Sequence, residues 1–211
     1  MLVLMQILRC GSGRQKEALK RLHWIHGLMS ARDDSGGCIA AKHLGNPIDI
    51  MILRYWQTAE ALARRTNSYY QDEWPLFPPN EPEGIYQTQD ISHNFEEVSL
   101  VTGAASGGFI LRSTYRVAEG RLEDCLALWS EIDALLQRMP GLVSAGTYKG
   151  MDDENEALRL VRLRDRAAME AVAAQPEFVS LETKLAALAM ARSYPDLNIY
   201  ETECFEVADE Y

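Results

Sequence analysis

The chain has 211 residues, of which 47% are apolar and 25% are charged, as in a globular protein with a hydrophobic core. Its 31 acidic and 21 basic residues give a formal net charge of −10, which disfavours nucleic acid and anionic membranes because both are bound by cationic side chains. No apolar run approaches the ~18 residues of a membrane-spanning helix, and the first run is too short for a signal peptide. The sequence therefore predicts a cytoplasmic protein.

The first half of the chain alternates between strand and helix patterns. A nearly continuous apolar run at the start is typical of a strand buried on both faces. Apolar residues at helical spacing follow it, and Thr58 is placed to cap a later short helix. The predicted elements are strand 2–8, helix 14–29, strands 38–44 and 48–56, a short helix from 59 to about 66, and a strand from 85 to about 98.

The second half repeats this order of elements. A run of small residues, Thr102–Gly108, first predicts a flexible linker. Gln175-Pro176 later interrupts a long helical pattern, because proline restricts the residue before it and favours a new first turn. The predicted elements are strand 109–117, helix 121–139, strands 142–148 and 157–163, a helical region 167–190 broken at 175–176, and strand 197–207.

The two halves align at a nearly constant offset, which indicates an internal duplication. The matched pairs are Val3 with Ile110, Arg14 with Arg121, Ala18 with Cys125, Leu22 with Trp129, Ile25 with Ile132, Ile52 with Leu160, and Ala59 with Ala167. We predict a first repeat over 1–101, a linker over 102–108 and a second repeat over 109–211.

Each repeat reads as a βαββαβ unit of the ferredoxin-like kind, which gives an α+β fold. Two helices cover only one face of a four-stranded antiparallel sheet, so the other face needs a second sheet. We therefore expect the two sheets to face each other, as in a dimeric α/β-barrel, with the helices outside.

Motifs of common chemistry are absent from the sequence. The four cysteines, Cys10, Cys38, Cys125 and Cys204, lie far apart and lack the spacing of zinc ligands, so we interpret them as small hydrophobic residues. There is no phosphate-binding glycine loop, nucleophile elbow or HExxH motif. We expect no metal, and chemistry would come from histidine and aromatic side chains.

Two histidines are candidate proton acceptors. His93 shares a strand face with Ile91 and Phe95 by the two-residue alternation, and it is the better candidate if that face lines a cavity. His26 lies beside the apolar stripe of the first helix, where it could face a pocket. The alternatives are an exposed edge residue for His93 and a boundary residue bonded to a carbonyl for His26.

Aromatic side chains concentrate after the third strand. Aromatic residues with polar tips commonly line pockets, where they stack on planar ligands, but they also commonly pin a loop to a core. The candidate substrate-binding residues are Trp56, Tyr69, Tyr70, Trp74 and Phe77.

Arginines recur along the strands of the second half. One that points inward could bind a carboxylate or a phenolate, whereas the commoner role is pairing with acids on an exposed face. The residues are Arg112, Arg116, Arg159, Arg162 and Arg164.

The sequence resembles the antibiotic biosynthesis monooxygenase superfamily, the dimeric α/β-barrel group that includes haem-degrading monooxygenases. The resemblance is clearest in the strand Phe109–Val117, the helix end Met139-Pro-Gly-Leu142 and the segment Ala167–Phe178. It implies a pocket between each sheet and its helices, used by some members to oxygenate quinol-like aromatics without metal or cofactor. Gln175 stands where the family often has a histidine, so haem is possible but disfavoured.

We therefore predict a cofactor-independent monooxygenase-like protein that acts on a hydrophobic aromatic or quinol-type small molecule. The alternatives are a non-catalytic binding protein for such a molecule, a haem-binding or haem-degrading relative, and an interaction protein with a filled interior. All four histidines lie in the first half, which favours a site there. A homodimer is a further possibility.

Overall fold

The computed structural model describes residues 1–30, 35–46, 48–63, 86–188 and 200–210, with the backbone alone for 24–30, 35, 86–92, 200–204 and 209. Within these ranges no helix is both long and apolar enough to cross a membrane. The strands are β1 (Leu2–Cys10), β2 (Ser35–His43), β3 (Asp49–Trp56), β4 (Tyr86–Thr102), β5 (Phe109–Arg116), β6 (Leu142–Gly150), β7 (Glu156–Leu163) and β8 (Tyr200–Glu210). The helices are α1 (Gln15–Ser30), α2 (Leu122–Leu136), α3 (Arg166–Ala173) and α4 (Pro176–Ala186).

The chain divides into two compact units, one of residues 1–94 with 207–211 and one of residues 95–206. Strand β4 is 17 residues long, and it begins in the first unit and ends in the second. These units are defined by contacts in space, whereas the predicted repeats, 1–101 and 109–211, are defined by the duplication of the sequence. The predicted repeat boundaries therefore stay a prediction.

The second unit has an antiparallel sheet in the order β8-β5-β7-β6-β4. Strand β5, the first strand of the second repeat, lies between β7 and β8. This is the strand order of a ferredoxin-like unit. Helices α2, α3 and α4 pack on one face of this sheet through apolar stripes, which the helical spacing predicts. The buried stripe of α4, with Leu181 and Leu185, confirms that part of the sequence prediction.

The first unit has the same central arrangement, with β3 between β1 and β2. Helix α1 packs on this sheet through Ala18 and Leu22, as its spacing predicts. The hydroxyl of Thr58 accepts a hydrogen bond of 3.1 Å from the backbone N–H of Ala61, so the predicted cap is confirmed. An α+β fold with two ferredoxin-like units is thus present.

The predicted linker, residues 102–108, lies within the second unit and is hydrogen-bonded to it at two backbone groups. The backbone N–H groups of Gly103 and Ala105 donate to the carbonyls of Val143 and Leu142 at 3.0 and 3.2 Å. A Cβ at Gly103 would clash with the Leu142 carbonyl oxygen, so only glycine allows this approach. Glycine at this position therefore allows a close approach of two backbones, and the linker over 102–108 stays a prediction.

The strand registers give a more accurate alignment of the two repeats. Leu2 pairs with Trp56 in the first unit, and Phe109 pairs with Leu163 in the second. The offset that relates Val3 to Ile110 consequently holds through the third strand of each repeat. It matches Ile52 with Arg159, so the predicted match of Ile52 with Leu160 was wrong by one residue.

The helix caps after these strands confirm the same offset. Asp165 accepts a hydrogen bond from the N–H of Ala168, three residues on, as Thr58 does from Ala61. The two caps are counterparts, and the helices begin one residue after them. The predicted match of Ala59 with Ala167 was therefore also wrong by one residue.

Candidate functional site

The face of the second sheet that its helices cover is filled by large side chains. Trp129 of α2 and Tyr115 of β5 are both fully buried, and their rings meet edge to face with centroids 5.2 Å apart. Around them Leu136, Leu185 and Val161 belong to one continuous core. Such close packing of aromatic and aliphatic groups is typical of a protein interior.

A buried ion pair lies within this core. Arg159 of β7 donates to the carboxylate of Asp133 at 2.7 Å and to the backbone carbonyl of Trp129 at 3.0 Å. Its guanidinium carbon also lies 5.9 Å from the centroid of the Trp129 ring. Burial raises the pKa of Asp133 and lowers the pKa of Arg159, although each group opposes the shift of the other. The cost of desolvation therefore outweighs the attraction, as is common for buried pairs.

Two further polar groups complete the cluster. The Tyr115 hydroxyl donates to Glu182 of α4 at 3.0 Å. Burial raises the pKa of the Cys125 thiol to about 12, with Arg159 opposing and Glu182 adding to the shift, so this thiol is a poor nucleophile. Arg159, Asp133 and Tyr115 thus have protein partners, and the cluster has the character of a structural network.

Sequence reasoning named Arg159 as one of five arginines without deciding which of them points inward, and it missed Asp133, Tyr115 and Glu182. The sequence feature that could have revealed the ion pair is Asp133, an acidic residue next to Ile132 within the apolar stripe of α2. The other arginines have structural contacts. Arg116 pairs with Asp153, Arg164 pairs with Asp165, Arg162 donates to the Gly107 carbonyl, and Arg112 lies over the ring of Phe205.

The covered face of the first sheet carries smaller groups in the same places. Leu22 takes the position of Trp129, Ile52 that of Arg159, and Ala40 that of Thr147. The core beneath α1 consists of Cys10, Ala18, Leu22, Cys38, Ala40, Ile50 and Ile52, with Leu8 and Leu19 packed against it. The large ring and the ion pair of the second unit have no equivalent at these positions.

This face is also more open to solvent than its counterpart. Gln6 and Leu8 of β1 are partly exposed, whereas their counterparts Ser113 and Tyr115 are buried. Both pairs of residues stand on the helix-covered side, because they pair with Ile52, Ile50, Arg159 and Ala157 on the neighbouring strands. The first unit therefore combines smaller side chains with access from outside.

Polar groups on the first face gather toward the end of β3. Arg54 and Trp56 follow Ile50 and Ile52 on the same side of the strand, and both are buried. Trp56 packs with Leu2, Ala61 and Leu62, which places the predicted substrate-binding tryptophan in a core cluster. The counterparts of Arg54 and Trp56 in the second unit are the apolar Val161 and Leu163.

The histidines occupy different environments. His93 of β4 is half-buried and stands two residues before the fully buried Phe95, and its role stays a prediction. His23 of α1 is exposed. His43 accepts hydrogen bonds from the backbone N–H groups of Gly45 and Asn46 within a turn. His26 lies in α1 at the position that corresponds to Asp133 in α2.

The remaining predicted site residues, Tyr69, Tyr70, Trp74 and Phe77, lie outside the described residues, as does the side chain of His26. Among the residues that are described, no group of three or more His, Cys, Asp or Glu side chains could hold a metal ion. Cys10, Cys38 and Cys125 are buried, in keeping with their predicted role as small hydrophobic residues.

Gln175, at the place of the family's histidine, is exposed, and its amide donates to the carbonyl of Ala171. This bond joins the residue that precedes α4 to the carbonyl of a residue in α3.

Several solved structures of other proteins have a fold similar to that of this chain. One similar structure is that of an anthrone oxidase-like protein. The alignment covers 100% of this chain and 92% of that one, with a TM-score of 0.73 and 13% sequence identity. A second similar structure is that of a proposed monooxygenase from Fusobacterium nucleatum. The alignment covers 99% of this chain and 93% of that one, with a TM-score of 0.75 and 9% sequence identity.

A third similar structure is a ferredoxin-fold protein from Listeria monocytogenes related to antibiotic biosynthesis monooxygenases, with a TM-score of 0.57 and 9% identity, covering 99% of this chain and 95% of that one. No family model and no curated protein matches the sequence. The chain thus shares the ferredoxin-like α+β fold of these proteins, which is the fold that the sequence resemblance implies.

Proposed function

We propose that the chain is a cofactor-independent monooxygenase that binds a hydrophobic, quinol-type aromatic molecule beneath α1 in the first unit. The observation that carries this proposal is the difference between the two helix-covered faces. The second is filled by Trp129, Tyr115 and the Arg159–Asp133 pair, whereas the first has small aliphatic groups there and partly exposed residues on β1. Apolar walls with a few polar groups are typical of small-molecule sites.

The proposed chemistry needs a base, a dry wall and a position for oxygen. The base takes a proton from the ligand, and the resulting carbanion passes electrons to dioxygen. For a ring methylene, one oxygen atom becomes a carbonyl and the other leaves as water, so the substrate supplies every electron. The protein contributes deprotonation, positioning and exclusion of water.

His26 is the first candidate for the base in this proposal. Its counterpart Asp133 belongs to the buried surface of α2 and reaches the sheet at Arg159. A histidine at that helical position would accept a proton near neutral pH. His93, half-buried on β4, is the second candidate, and Trp56 supplies an aromatic wall at the end of β3.

Oxygen uptake with anthrone and with a panel of quinols tests the proposal. We expect consumption of oxygen together with formation of the carbonyl product by the parent protein. His26→Ala should lower kcat at least tenfold, by the usual contribution of a general base. His23→Ala is the matched control, because His23 lies on the same helix and is exposed, and it should leave turnover unchanged.

The outcomes separate the candidate functions. Turnover that survives both His26→Ala and His93→Ala would contradict the histidine base. Tight binding of the aromatic probes without oxygen uptake would favour the non-catalytic binding protein. Absence of both binding and turnover would refute the proposal.

Absorption of the purified protein tests the expectation that no cofactor is needed. We expect no band in the visible region and full turnover after dialysis against a chelator. A haem Soret band that follows the protein through purification would favour the haem-binding alternative.

A further inference from the structure

A row of polar side chains crosses the helix-covered face of the second sheet. Ser99 of β4 pairs with Thr147 of β6, which in turn pairs with Arg159 of β7. Arg159 also pairs with Ser113 of β5. Residues that pair across strands have neighbouring side chains, so the four form one row beneath α2. Ser113, Thr147 and Arg159 are at most 4% exposed, which places most of the row inside the core.

Two members of this row are tied to the covering helix. The Arg159 guanidinium donates to the Asp133 carboxylate at 2.7 Å, and Ser99 is hydrogen-bonded to the same carboxylate. Thr147 stands between them in the row and is 2% exposed. Its hydroxyl has no hydrogen-bond partner within the described part of the chain. A buried hydroxyl without a partner carries a cost of desolvation that nothing offsets.

The Trp129 indole poses the same problem beside the same guanidinium. The ring is fully buried, and its Nε1–H lacks an acceptor among the residues that the structure describes. This group can only donate, and buried indole N–H groups usually find a partner. The ring centroid lies 5.9 Å from the guanidinium carbon of Arg159, and Thr147 is directly opposite Arg159 on the neighbouring strand. The two unsatisfied groups therefore flank one polar centre.

We propose that the core beneath α2 holds internal water, which accepts from the Trp129 indole N–H and is hydrogen-bonded to the Thr147 hydroxyl. Buried water typically makes about three hydrogen bonds to polar groups that the protein alone leaves unsatisfied. The Arg159 guanidinium and the Asp133 carboxylate supply the polar surroundings that such a site needs. Ser99, at the β4 end of the row, is partly exposed and marks the end nearest to solvent.

This inference is independent of the proposed function, because it concerns the second unit. In the first unit the counterparts of Trp129 and Thr147 are Leu22 and Ala40, which have no polar side-chain atoms to satisfy. The second core is thus hydrated at positions where the first is apolar.

A high-resolution crystal structure of the parent protein tests the site directly. We expect ordered water within hydrogen-bond distance of both Thr147 Oγ1 and Trp129 Nε1. Absence of water from either atom would overturn the inference. Density larger than water molecules would also overturn it, because the occupant would then belong to another chemical class.

Thr147→Val gives an independent thermodynamic test, because valine has nearly the same shape as threonine and lacks the hydroxyl. If water satisfies the hydroxyl, the variant loses those hydrogen bonds, and we expect its Tm to fall below that of the parent. Removal of a dry, unsatisfied hydroxyl would instead stabilise the protein. A Tm equal to or above that of the parent would therefore overturn the inference.

Ala40, the counterpart of Thr147, provides the matched control. It belongs to an apolar cluster with Leu22 and Ile52, so a hydroxyl introduced there meets apolar side chains. We expect Ala40→Thr to melt at a lower temperature than Ala40→Val, which is the reverse of the order at position 147. If threonine is the more stable residue at both positions, the order at 147 does not report on water, and the inference fails.

Discussion

The two units solve the same structural problem with different side chains. Both cover one face of an antiparallel sheet with a helix that places its stripe at matched positions. In the second unit those positions hold Trp129, Tyr115 and the Arg159–Asp133 pair, while the first has Leu22, Leu8 and Ile52. The comparison shows that two copies of one fold can be packed with different side chains, and the proposed function assigns the ligand to the copy with the smaller ones.

The largest expected effect concerns the ion pair of the second unit. Asp133→Ala leaves the Arg159 guanidinium buried without its carboxylate, so we expect a loss of roughly 3–5 kcal/mol in the free energy of unfolding. Urea denaturation measures it. The double variant Asp133→Leu with Arg159→Met should recover most of the loss, because it removes both charges.

The control for this prediction is the exposed pair of Arg138 with Glu177. Arg138→Ala should change stability by less than about 1 kcal/mol, as is typical of surface pairs. A similar small effect for Asp133→Ala would contradict the account of the second unit as a tightly packed scaffold.

Exchange of the helix residues between units tests the comparison directly. Trp129→Leu removes a fully buried ring, so we expect a loss of roughly 2–4 kcal/mol from the cavity that remains. The reciprocal Leu22→Trp should cost less than about 1 kcal/mol if the first face has room, and it should abolish binding of the aromatic probes.

Denaturation and calorimetry on the two variants check both halves of this prediction. If Leu22→Trp instead costs the roughly 1–3 kcal/mol that overpacking of a filled core costs, the first face has no space for a ligand. Retained probe binding in that variant would place the site elsewhere.

The sequence predicted the elements and the duplication because both depend on local periodicity. It missed the partner of Arg159, since Asp133 lies on a different element and only the register of β7 beneath α2 brings the two together. The one-residue errors at Ile52 and Ala59 arose because the matching of letters lacked the hydrogen-bonded registers. The packed role of Gly103 was hidden for the same reason, because composition alone does not show close approach.

The smallest expected effect is a difference in pH dependence between the two matched helix caps, Asp165 and Thr58. The Arg164 side chain and the backbone N–H of Ala168 hold the pKa of Asp165 below its ordinary value. Its stabilising effect is therefore complete above the unfolded pKa, near 3.9, and is lost as pH falls through the lower pKa of the folded state. Thr58, the counterpart in the first unit, does not titrate.

Denaturation at pH 7, 5 and 3 compares Asp165→Ala with Thr58→Ala. The deficit of Asp165→Ala should shrink toward acid pH, whereas that of Thr58→Ala should stay near 1 kcal/mol throughout. Parallel behaviour of the two variants would show that the Asp165 carboxylate does not contribute through its charge.

The central claim is that a ligand binds beneath α1 in the first unit and not in the filled second unit. A crystal structure with 6-bromo-2-naphthol locates the ligand by the anomalous signal of bromine. We predict one strong peak between α1 and the β1–β3 ladder. A peak beneath α2 and α4, beside Trp129 and Arg159, would contradict the account.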